Sequence, residues 1–239
     1  MRRYSLFFLI VMTTACQHLP PAQPIRTTAG QVSILSLGDS YTIGKAVADN
    51  DRFPMQLAKK LTSTGIHLTE PPHIIAQTGW TTADLAEAIA EPLPKYTLVT
   101  LLIGVNNQYR GGDLADYRRD FAGLLRQAAS LCSQGKAGII VLSIPDWGAT
   151  PYGARFNSTE ISAEIDRFNA VNRAEAEANG VTYIDITGIS RQARDYPGLI
   201  VSDGLHPSAE MYRRWVELLW PVARKKIALF RQSKPGLSS

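Results

Sequence analysis

Strand-length apolar runs alternate with amphipathic helical stretches along this chain. That alternation predicts an α/β fold, a three-layer α/β/α sandwich around a central five-stranded parallel sheet. Two further observations support it. The runs at 97–103 and 138–144 are apolar almost throughout, as strands covered on both faces must be. The length of 239 residues suits one full-sized core, with no internal repeat and no second domain.

The elements follow in order. A first strand is predicted at 32–37, where Val32, Ile34, Leu35 and Leu37 are apolar and partly β-branched. Gly38 then lets the backbone turn sharply. A helix at 52–64 carries Phe53, Leu57 and Leu61 on one face and ends at Gly65. A second strand covers 73–76. Thr81, Thr82 and Asp84 offer capping chemistry for a helix reaching about Ala90, stopped by Pro92 and Pro94. The third strand is 97–103. A long amphipathic helix at 113–133 places Phe121, Leu124, Leu125, Ala128, Leu131 and Cys132 on its apolar face. The fourth strand is 138–144, followed by a long polar and aromatic loop at 145–158. Ser158 or Thr159 is expected to cap a helix to Asn179, ended by Gly180. The fifth strand is 181–186. Pro207 is expected to start a final helix with Met211, Trp215, Leu218, Leu219 and Val222 as its stripe.

The first sixteen residues read as an export signal. Arg2 and Arg3 precede an apolar run at 6–12, and Thr13, Thr14 and Ala15 lead to Cys16. The run is too short for a membrane-spanning helix, which needs roughly 20 residues. Small residues ending at a cysteine resemble a bacterial lipobox, although Thr13 takes the place of the usual leucine. The expectation is a lipidated Cys16, attached to the cell envelope through a proline-rich tether at 17–30 that carries Pro20, Pro21 and Pro24. Conventional cleavage and secretion is the alternative. The folded domain then spans 31–239. With Cys16 lipidated, Cys132 has no disulfide partner and reads as a buried, inert thiol. The net charge of +4 is mild and concentrated at the ends. Arg224, Lys225 and Lys226 fall late in the final helix, where cations complement its dipole and stay solvated. No nucleic-acid partner is expected.

Four short segments carry the chemistry: Gly38-Asp39-Ser40, Gln77-Thr78-Gly79, Gly104-Val105-Asn106 and Asp203-Gly204-Leu205-His206. Ser40 falls at the carboxyl end of the first strand, where open α/β sheets bind ligands. A serine needs a base to become a nucleophile. His206 has the suitable context, with Asp203 three residues before it and Pro207 after it. Each segment alone is ordinary turn or capping vocabulary. The ordered set resembles the SGNH (GDSL-type) hydrolase superfamily from about Gln31 to Phe230. That resemblance implies a flavodoxin-like sheet and a catalytic triad of Ser40, Asp203 and His206. It also implies an oxyanion hole made by the Ser40 and Gly79 N–H groups and the Asn106 side chain. Tyr41 replaces the family's leucine, and Asn107 replaces an aspartate that often follows Asn106.

Trp80, Tyr109, Trp147, Tyr152 and Phe156 are candidates for the substrate pocket. Asp39 reads as a brace for the turn. No Gly-x-Ser-x-Gly elbow, dinucleotide fingerprint or metal-ligand spacing is present, so neither a metal nor a cofactor is expected. The expected activity is hydrolysis of a carboxylic ester outside the cytoplasm, the ester being a lipid, a short-acyl compound or an O-acetylated glycan. The competing expectation is a non-catalytic envelope lipoprotein that binds a glycan or lipid on the same fold.

Overall fold

The computed structural model describes residues 32–233. Cys16, the signal-like segment and the tether lie outside the described residues. Five strands form one parallel sheet: β1 (Ile34–Gly38), β2 (His73–Ala76), β3 (Leu98–Leu102), β4 (Ile139–Leu142) and β5 (Thr182–Ile184). Their spatial order is β2-β1-β3-β4-β5. β1, β3 and β4 are buried along their whole length, which is why their sequences read as unbroken apolar runs, while β2 and β5 at the edges are half-buried.

Helices cover both faces. On one, α2 (Phe53–Ser63) packs against α8 (Ala209–Gln232); on the other, α3 (Thr82–Ala88), α5 (Leu114–Leu131) and α6 (Ser158–Ala178) lie side by side. The expected capping box is present, with Thr81 Oγ1 accepting the Asp84 N–H and Asp84 accepting the Thr81 N–H. α2 and α6 end in paired Schellman bonds, Ile66 N–H to Leu61 O and Val181 N–H to Ala176 O among them. Among the described residues no helix is long and apolar enough to cross a membrane.

Several expectations are corrected. Asn157, one residue earlier than Ser158, caps α6. Pro207 does not start α8. It is extended and bridges to Ile200, and Ser208 provides the cap. Leu218 is exposed at 43% and Val222 is half-buried. The buried face runs instead through Met211, Tyr212, Trp215, Val216, Leu219, Ala223 and Ile227, because Tyr212 and Trp215 pack on Phe53 of α2. Lys226 is not fully solvated: it reaches back to the Ala137 carbonyl at 2.6 Å. Three short helices had no sequence signal: α1 (Ser40–Ile43), α4 (Val105–Tyr109) and α7 (Thr187–Arg191).

Candidate active site

β1 pairs with β2 on one side and β3 on the other, so the chain's path reverses between β1 and β3. Such switch points are where open α/β sheets hold ligands. Ser40 leaves β1 there as the first residue of α1, a position whose N–H has no intrahelical acceptor. Gly38 is needed for space, since a Cβ would come within 2.3 Å of the Leu102 carbonyl and 2.2 Å of Thr42 Oγ1. Its φ is not positive, so what the position demands of glycine is space for the turn and not a left-handed backbone.

His206 comes from the loop before α8 and is buried. Its Nδ1 meets Asp203 Oδ2 at 2.7 Å. The other Asp203 oxygen accepts the Leu205 and His206 N–H groups at 2.8 and 2.9 Å. Partial burial works to raise the Asp203 carboxyl, but these N–H groups and the ring outweigh it and hold it below the ordinary range. With Nδ1 engaged, Nε2 is the nitrogen left to the cavity.

One cavity of about 190 Å³ gathers the candidates: Ser40, Gly79, Asn106 and His206 line it with Tyr109, Trp147 and Tyr152. Asp203 is behind His206. Trp80 and Phe156 are not among the lining residues. Trp80 is half-buried and accepts Asn106 Nδ2 on its carbonyl at 2.9 Å, and Phe156 packs outside on Trp147 and Tyr152.

The β2–α3 loop is clasped by α4, whose role sequence reasoning missed. Arg110 donates to the Gly79 carbonyl at 2.7 Å. Asn107 accepts the Thr82 N–H at 3.0 Å and donates to Thr82 Oγ1 at 2.9 Å. With Asn106 on Trp80, three side chains of one helical turn fix the backbone around Gly79. That glycine has φ +89°, which disfavours any side chain there.

The loop at 145–158 is fixed as well. Asp146 is fully buried and pairs with Arg191 at 2.8 Å, and Tyr152 N–H bonds to the Gly204 carbonyl at 2.8 Å. Trp147 Nε1 donates to Gln108, which donates to Glu164. These contacts make the loop one wall of the cavity, a role for which Gln108 and Arg191 gave no sequence signal.

The family model of GDSL-like lipases and acylhydrolases matches residues 36–214. The chain belongs to this family. As a GDSL-like member it is an SGNH-type serine hydrolase. No curated protein matches it in sequence. Solved structures similar to this GDSL-like hydrolase include a lipase/acylhydrolase from Enterococcus faecalis, 20% identical with TM-score 0.59, covering 87% of this chain and 100% of that one. An acetylxylan esterase from Geobacillus stearothermophilus is 17% identical, with TM-score 0.59 over 84% of this chain and 96% of that one. A psychrotrophic esterase from Pseudoalteromonas sp., determined with monoethylphosphonate as inhibitor, is 16% identical, with TM-score 0.59 over 82% and 98%. At these identities the likeness is one of fold.

Proposed function

We propose that this GDSL-like hydrolase cleaves carboxylic esters through an acyl-enzyme on Ser40, with His206 as base and Asp203 orienting it. The observation that carries the reading is that Ser40, His206, Gly79 and Asn106, drawn from four separate segments, line one cavity at the switch point of the sheet.

Ser40 Oγ attacks the acyl carbon and gives its proton to His206 Nε2. Asp203 keeps the other ring proton on Nδ1 and stabilises the imidazolium. The negative charge that develops on the carbonyl oxygen is met by the N–H groups of Ser40 and Gly79 and by Asn106. One Asn106 amide hydrogen is spent on Trp80, which fixes which end of the amide carries the donors and leaves the second N–H for the oxyanion. His206 then protonates the leaving alcohol, and water deacylates Ser40 by the same route. Trp147, Tyr152 and Tyr109 offer an apolar aromatic wall to the acyl or alcohol part, which suits a lipid acyl ester, a short-acyl ester or an O-acetylated glycan. The signal-like segment and Cys16 support action at the cell envelope, with lipidated Cys16 as the membrane attachment.

Ser40→Ala is expected to fold with an unchanged melting temperature and to lose both hydrolysis of a chromogenic ester and labelling by a fluorophosphonate. Retained hydrolysis in that variant refutes the assignment.

A further inference from the structure

Gln108 is buried in α4, and both ends of its amide are engaged although the proposed ester chemistry does not use it. Its Oε1 accepts the Trp147 indole N–H at 2.8 Å, and its Nε2 donates to Glu164 Oε2 of α6 at 2.7 Å. The second Glu164 oxygen faces Arg167 at 3.5 Å. An indole nitrogen only donates and a carboxylate only accepts, so these two partners admit one orientation of the amide between them.

Trp147 is the ring that this chain of bonds holds. It is buried, it lines the cavity with Ser40 and His206, and Tyr109, Tyr152 and Phe156 surround it at centroid distances of 5.5, 6.2 and 5.7 Å. The backbone on either side is fixed without Gln108. Asp146 pairs with Arg191 and accepts the Gly148 N–H, Thr150 Oγ1 donates to the Trp147 carbonyl, and Tyr152 N–H bonds to the Gly204 carbonyl. What Gln108 adds is the direction of the indole. The same turn holds Asn106 on the Trp80 carbonyl and Arg110 on the Gly79 carbonyl, so the aromatic wall and the proposed oxyanion donors are set from one frame.

We propose that Gln108 is a positioning residue for substrate recognition, locking Trp147 in the orientation that keeps the cavity open to the ester and so setting KM rather than the rate of attack. The proposal rests on the reading of this cavity as the ester site. Without the amide the indole N–H is buried and unpaired, and the ring relieves that by turning. Substrate then binds only those molecules whose ring is in place, and apparent affinity falls by that fraction.

The test is kcat and KM on 4-nitrophenyl butyrate, with thermal unfolding as the check on folding, for wild type, Gln108→Leu, Gln108→Glu and the exchanged pair Gln108→Glu/Glu164→Gln. Gln108→Leu removes the acceptor and should raise KM about tenfold or more with kcat within about threefold. Gln108→Glu keeps an acceptor for the indole but sets two carboxylates against each other, and should raise KM as well. In the exchanged pair one carboxylate oxygen accepts the indole N–H and the other accepts from the new amide at position 164, so KM should return to within about threefold of wild type. A merely structural role gives another signature: fewer folded molecules lower the apparent kcat, KM is unmoved, and the exchange restores nothing. Gln108→Leu with a wild-type KM, or an exchanged pair no better than Gln108→Glu, overturns the proposal. If Gln108→Leu does not fold, Gln108→Glu against the exchanged pair decides. The ring itself is read by acrylamide quenching of Trp147 fluorescence, taken as the difference from the same protein carrying Trp147→Phe. Quenching should increase in Gln108→Leu and not in the exchanged pair, and unchanged quenching in Gln108→Leu overturns the lock. If Ser40→Ala retains hydrolysis, the ester reading falls and the quenching comparison decides the role of Gln108.

Discussion

Asp203→Asn separates the orienting role of this carboxylate from its role in shaping the loop. Asp203 Oδ1 accepts two backbone N–H groups, from Leu205 and His206, and an asparagine carbonyl keeps both bonds. The exchange falls on the third bond, between Oδ2 and His206 Nδ1 at 2.7 Å. An NH₂ placed there demands that Nδ1 accept, so the ring proton moves to Nε2, the atom that takes the proton of Ser40 in the proposed mechanism. A wrong tautomer of this kind costs roughly 10⁴-fold in kcat, which is about 5.5 kcal/mol of transition-state stabilisation. Stability should change far less, by about 1 kcal/mol or under, because Asp203 is one-third exposed and solvent screens its charge. The acid side carries a further sign. The folded Asp203 carboxyl is held below its ordinary value, so its contribution is present above the unfolded pKa and lost as pH falls through the folded one. The variant removes that contribution. The assay is kcat on a chromogenic ester alongside thermal unfolding. A variant that melts like wild type and retains activity within about tenfold refutes the orienting role.

Asn106→Ala should lower kcat by roughly 10²–10³-fold with little change in KM, measured on the same ester. Thr81→Ala breaks the capping box and should cost about 1 kcal/mol in urea unfolding; the Asp84 carboxyl, now held low chiefly by bonds from Thr81, should titrate at higher pH. Asp39→Asn should alter the pH dependence of stability. Between the ordinary 3.8 and about 7 the native state of wild type binds the extra proton, so its unfolding free energy declines as pH rises through that window. The full span corresponds to about 4 kcal/mol at most, which the variant should not lose, and unfolding at acidic and mildly alkaline pH measures the difference.

The sheet and its long helices were legible because burial on both faces leaves β1, β3 and β4 no polar position, and because Thr81, Asp113, Gly65 and Gly180 mark helix ends with side-chain or backbone chemistry. What was not legible is what depends on a distant partner. α1, α4 and α7 span only four or five residues, too few for a helical period to register. The face of α8 is chosen by Phe53, a residue far away in sequence, so apolar Leu218 was assigned inward although it faces solvent. Pro207 is a sound helix-starting residue, but Ser208 is the better cap and Pro207 is held extended by Ile200.

The site divides the same way. Ser40, Asp203 and His206 announce themselves because their spacing is local or their motif ordered. Gly79 and Asn106 belong to the same ordered set, and what was not legible is the support around these proposed oxyanion donors, which comes from one another's surroundings. Gly79 lines the cavity from a loop whose carbonyls at 79 and 80 are gripped by Arg110 and Asn106, and whose next turn is gripped by Asn107. Asn106 is in turn oriented by the Trp80 carbonyl of that loop. The asparagine at 107, where a family aspartate often falls, fits this arrangement because Thr82 presents both an N–H to accept from and a hydroxyl to donate to, and an amide answers both. On the proposed mechanism Gly79 and Asn106 therefore form one preorganised unit, and removing either is expected to disturb the donor geometry of both.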